Sequence, residues 1–183
     1  RIPVASLQEV LENAGDICLG INEQCRPVQM FNEYLHDGYY PFFTGNREDY
    51  YINIENIVNL ILEQEMPLLC GVDPAYIRKL KALLSILASS VPYEVDITKL
   101  AGTIGLTRNS VITYLQNLDR AKLLKLLYSD LTSVKKMQKP DKIYLQNPNL
   151  LYAIASTSVQ IGTARETFAI SQLSVNHEIE YGK

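Results

Sequence analysis

Between Asp96 and Ala121 the chain spells out two short helices and the turn that joins them, and no other feature limits the fold as much. Asp96 can cap ITKLAGTIG (97–105) and Thr107 can cap TRNSVITYLQNLDRA (107–121), each accepting from a backbone N–H left free at a helix start. Ala101 is small where two helices must cross, and Gly105 supplies the turn four residues later. Val111, Leu115 and Leu118 then recur at the spacing of an inward face. This is the pattern of a helix-turn-helix. Leu123 to Tyr128 reads as a strand, Ser129 to Lys142 as a polar hairpin, and Ile143-Tyr144-Leu145 as the return strand. Together with the amphipathic stretch Leu80, Leu83, Leu84 and Leu87 ahead of it, the pattern predicts three helices and a small β-hairpin, a winged helix.

The remainder of the chain reads as helix. Ser6 followed by Glu9 makes a capping box, and apolar residues then repeat at helical spacing from Leu7 to about residue 20. Pro27 suits a first helical turn and Gly38 a C-terminal cap, so Pro27 to Asp37 reads as a second helix. A third, from Arg47 to Glu65, carries the stripe Ile54, Ile57, Val58, Ile61 and Leu62, with Pro67 as its stop. Between these two lies FNEYLHDGYYPFF (31–43), more aromatic surface than a short helix and turn can bury alone. We expect it to pack on the 47–65 helix and to leave some apolar area open. Asp73 and Pro74 restart the chain, and residues 91–95 read as an extended linker. Helices are expected at 149–155 and, after Gly162, at 163–173. The fold class is therefore mainly α: a helical region at 1–72, a winged-helix domain at 73–146, and the start of a further domain at 147–183. Because the first residue is Arg1 and the ending SVNHEIEYGK resembles an unpaired strand, the chain reads as a piece of something longer.

Charge is distributed unevenly. The formal net charge is −3, which gives no global basic field to attract nucleic acid. Between Thr98 and Lys142, however, nine cations stand against three carboxylates, a local +6, which leaves −9 for the rest. A nucleic-acid-facing domain inside an acidic protein has this asymmetry. On the second helix of the pair, Arg108, Asn109, Thr113, Gln116 and Asn117 lie off the packed face, and such side chains can read base edges. Lys135, Lys136 and Lys139 in the wing would meet phosphates without sequence specificity. The competing reading is a winged helix used for packing against protein, with its lysines as solubilising charge.

Other chemistry finds little support. No GxxxxGK[ST] or GxGxxG loop and no GxSxG elbow is present. Cys18, Cys25 and Cys70 cannot all pair, so they read as reduced and mostly buried thiols of a cytoplasmic protein. His36 and His177 stand near no cysteine at metal-ligand spacing. Ile143 to Ala164 is free of charge, but its amides and hydroxyls are too costly in lipid for a membrane span.

The motifs in order resemble one prokaryotic family. They are MFNEYLHDGYYPFF (30–43), LILEQEMP (60–67), residues 77–129, KPDKIYLQNPNLLYAI (139–154) and GTARETFAISQL (162–173). The family is that of AAA-type ATPases in which helices of the lid and a winged helix follow the ATPase domain, and a C-terminal nuclease-like domain comes last. The resemblance implies a parent that binds ATP and magnesium and hydrolyses ATP. It implies no catalytic, cofactor or metal site in these residues, since the P-loop and sensor positions would lie upstream. Glu166 matches a glutamate that opens the nuclease-like core, but the Asp and E-x-K that would complete a metal site are missing, so it reads as a helix-surface or packing residue. The partners implied are double-stranded DNA, the ATPase domain itself or another subunit, with no membrane.

Overall fold

A computed structural model of the chain describes residues 4–43, 45–90, 93, 94, 96–129, 139–175, 178–180 and 182. It is mainly helical, with one small antiparallel sheet. The helices are α1 (Leu7–Glu12), α2 (Ala14–Gln24), α3 (Pro27–Asp37), α4 (Arg47–Leu60), α5 (Met66–Cys70), α6 (Ile77–Ala88), α7 (Ile97–Ile104), α8 (Arg108–Arg120), α9 (Pro148–Ile154) and α10 (Ile161–Leu173). Strands β1 (Tyr93–Glu94), β2 (Leu124–Leu127) and β3 (Lys142–Leu145) pair antiparallel in the order β1-β3-β2. Leu124 sits opposite Leu145 and Leu127 opposite Lys142, while Tyr93 sits opposite Ile143.

Local chemistry explains most boundaries. Ser6 and Glu9 form the full capping box at α1. The Asp96 carboxylate accepts from the Lys99 N–H, and the Thr107 hydroxyl accepts from the Ser110 N–H. Gly105 takes φ +64°, and the Leu106 N–H reaches back to the Ala101 carbonyl at 3.0 Å, closing α7 with a left-handed turn. The hinge between the paired helices is therefore a backbone conformation that glycine adopts without strain.

Four boundaries depart from the sequence reading. The first predicted helix breaks at Asn13 (φ −125°, ψ 28°), where an asparagine and the nearby Gly15 weaken a segment that buries no residue. Pro67 does not stop the third helix. The chain winds Ile61–Glu65 as a π-helix and continues to Cys70, ending at Gly71 with φ +64°. The wider turn relieves the clash that a proline ring makes with the carbonyl four residues back. Gly162 lies inside α10 rather than ahead of it, in a first turn where glycine costs little. The 91–95 linker contributes β1, because β3 otherwise offers an unpaired edge.

One continuous core runs through these elements, across positions 72 and 147. Tyr50, Ile54, Val58, Leu62 and Met66 meet Leu80, Leu83, Leu84 and Leu87 of α6. Beyond them lie Ile97 and Leu100, then Val111, Leu115 and Leu118, then Leu124, Ile143 and Leu145 of the sheet. Leu150 and Leu151 of α9 belong to the same cluster, and α9 packs on α3, α4 and α6.

Its buried polar anchor is Asn149, fully inaccessible. The Asn149 Oδ1 accepts from the Tyr39 N–H and the Tyr50 hydroxyl, both at 2.7 Å. Its Nδ2 donates to the Tyr34 and Leu35 carbonyls at 3.2 and 2.7 Å. The aromatic segment packs on α4 as expected: the Phe42 and Phe43 rings lie 5.3 and 5.5 Å from Tyr50. Phe31 and Tyr34 turn the other way, onto Phe168 of α10 at 4.9 and 5.7 Å. Most of these rings are half-buried, and Phe43 is 38% exposed.

Candidate nucleic-acid interface

Helix α8 presents two unlike faces. Val111, Leu115 and Leu118 are fully inaccessible against α7 and the sheet, which fixes the helix in rotation. Arg108, Asn109, Thr113 and Arg120 are exposed on the other side. Arg108 and Asn109 stand in the first turn, directly after the Thr107 cap, where a helix offers side chains and backbone N–H groups to an anion. Gln116 is half-buried and already engaged within the chain. Asn117 corrects the sequence reading: it is 8% exposed and belongs to the packed side, because the helix meets its neighbours over a wider arc than the three apolar residues span. Lys139 is exposed and engaged, whereas Lys135 and Lys136 lie outside the described residues.

Further cations lie on the neighbouring elements. Lys99 on α7 and Lys122 after α8 are exposed, and Lys125 on β2 is half-buried. Asp119 lies among them, its carboxyl raised above the ordinary range by burial; the Leu126 N–H at 3.2 Å and the charges of Lys125 and Lys122 pull it back down. On the other flank of α8, at the start of α6, the sequence reading missed a cluster. The Lys79 ammonium donates to the Gly105 carbonyl and lies 5.6 Å from the centre of the Tyr76 ring. Tyr76 in turn stands 6.3 Å from Tyr114 of α8. No spacing rule joins Tyr76, Lys79, Gly105 and Tyr114, so only the packing of α6 beside the turn reveals them.

The family is decided over most of this architecture. Residues 28–160, from α3 through the sheet to the loop after α9, match the model of the Domain of unknown function (DUF8612). The chain belongs to this family. No curated protein matches it, and no solved structure does. The DUF8612 span holds the helix pair, the sheet and the Asn149 anchor, and leaves α1, α2 and α10 outside.

Remaining candidates resolve differently. Glu166 accepts from the buried Tyr144 hydroxyl at 2.6 Å, so it ties α10 to β3. Cys18 is exposed and Cys25 and Cys70 are partly buried free thiols, so none is buried as fully as expected. All three lie in or beside helices that contribute little to the core. His36 stacks on Tyr152 at 4.1 Å and lies 3.4 Å from the Tyr51 hydroxyl. His177 lies outside the described residues. Among the described residues no three His, Cys, Asp or Glu side chains converge as a metal would require, and no helix is long and apolar enough to cross a membrane.

Proposed function

We propose that this DUF8612 chain is the winged-helix, DNA-contacting region of an AAA-type ATPase, cytoplasmic, and that it couples nucleotide state to duplex DNA. The observation that carries the reading is the open outward face of α8. Arg108, Asn109 and Thr113 stand exposed on the second helix of a capped pair, followed by a small antiparallel sheet. The order of motifs supports the ATPase connection. These residues do not fit a nucleotide themselves: the chain has no phosphate-cradling loop, so ATP and magnesium belong to a separate domain in this reading.

A salt titration against random duplex DNA tests it. Each phosphate neutralised contributes about 0.9 to the slope of log K against log salt. The chain should bind weakly and with strong salt dependence. Replacing Lys135 and Lys136 together should flatten the slope by about 2, while Arg108→Ala should alter sequence preference. No binding at low salt would sink the reading.

A second reading has its own observation. Leu7, Leu11 and Leu19 of α1 and α2, and Leu68 and Leu69 of α5, are exposed by 46, 75, 64, 84 and 76%. Apolar surface of this kind suits a protein partner, either the ATPase core or another subunit. Failure of DNA binding together with concentration-dependent self-association would favour it.

A further inference from the structure

We infer that Lys79, held between Tyr76 and the Gly105 turn, is a phosphate-backbone contact that braces α8 on duplex DNA; this rests on the DNA reading of α8. Lys79 sits on α6, outside the helix pair whose second member carries the base-facing residues, yet its ammonium reaches the carbonyl of the turn residue Gly105. A β-carbon built on Gly105 would lie 3.6 Å from the same ammonium, which places the charge directly at the turn. Two residues later Thr107 caps the start of α8, so the charge is fixed at the turn that leads into Arg108 and Asn109.

An ammonium has three N–H donors. One serves the Gly105 carbonyl, a neutral acceptor that leaves the full positive charge in place. The other two are available to a phosphate oxygen arriving at the turn. The Tyr76 ring, 38% exposed, lies under the charge at 5.6 Å, and Tyr114 stands 6.3 Å beyond it. A ring at this distance limits where the flexible lysine stem can go and attracts the cation. Because the side chain is held before DNA arrives, less rotamer freedom is lost on binding. Tyr76 is thus a positioning residue for Lys79.

Lys81 supplies the control. It lies two residues further on the same helix, but its ammonium is paired with Glu63 of the π-turn at 2.6 Å.

The experiment is a salt titration of the intact chain and three variants against random duplex DNA, read as both affinity and slope. Lys79→Met keeps the apolar stem and removes the charge. It should lower affinity and reduce the slope by about 0.9, the loss of one phosphate contact. Tyr76→Leu should lower affinity and leave the slope unchanged, and Lys81→Met should change neither. A purely structural role for Lys79 would weaken binding with no change in slope, and that result overturns the inference. So does an unchanged Lys79→Met, while the wild-type slope still upholds DNA binding by α8. If the wild-type chain binds no duplex at low salt, the DNA reading fails and the inference fails with it.

Discussion

Asn149 illustrates what a single buried amide can hold together. Its four hydrogen bonds reach the end of α3, the loop after it and the hydroxyl of Tyr50 on α4, 99 to 115 residues away along the chain. Asn149→Ala would take their partner from the Tyr39 N–H, the Tyr50 hydroxyl and the Leu35 carbonyl, while the Tyr34 carbonyl keeps the Gly38 N–H at 3.0 Å. Each group left unpaired costs about 1–3 kcal/mol before relaxation. We expect a loss of about 3 kcal/mol, read as a lower urea midpoint with an unchanged denaturant slope. Tyr50 and Tyr51 carry a second residue-scale consequence. Burial foremost pushes both phenols up from 10.0 to about 12, so the folded chain retains protons that the unfolded chain releases. Stability from this source is complete below pH 10 and falls as pH rises from 10 towards 12. An unfolding series across that range should show the decline, and Tyr51→Phe should make it shallower. A flat profile would contradict the assignment.

At the scale of elements, the legible parts were those closed by local chemistry. Pro27 and Gly38 bound α3 where the sequence placed it, and Asp96, Gly105 and Thr107 did the same for α7 and α8. The misses came where a long-range partner decides. Pro67 reads as a stop unless the π-turn before it is known, and β1 is invisible without the β3 edge it pairs with. The end of α8 adds a detail that no residue type announces. Lys122 takes φ +58°, with its N–H on the Asp119 carbonyl and the Leu123 N–H on the Leu118 carbonyl, both at 3.0 Å. This is a left-handed cap at which glycine is usual. Lys122→Gly should therefore stabilise the chain by up to about 1 kcal/mol, whereas Gly105→Ala should cost about 1–2 kcal/mol at its own left-handed turn. Thermal midpoints moving in the same direction for both variants would contradict this account.

Over the whole molecule, core and charge divide the chain in different ways. The core is continuous from Tyr50 to Leu151, whereas α1 and α2 contain no buried residue. Removing residues 1–25 should change the unfolding free energy by no more than about 0.5 kcal/mol, the range of surface changes. A larger loss would place these helices in the folding unit. The charge asymmetry was plain in the sequence, and so was most of the outward face of α8. The packed position of Asn117 and the Lys79 cluster were not, because both depend on how α6, α7 and α8 lean together. The central claim is that this face meets DNA, and amide resonances of the isotope-labelled chain during titration with a short random-sequence duplex test it most directly. Shifts concentrated at Arg108, Asn109 and Thr113 are predicted. Shifts confined to α1, α2 and Leu68–Leu69, or none at low salt, would contradict it.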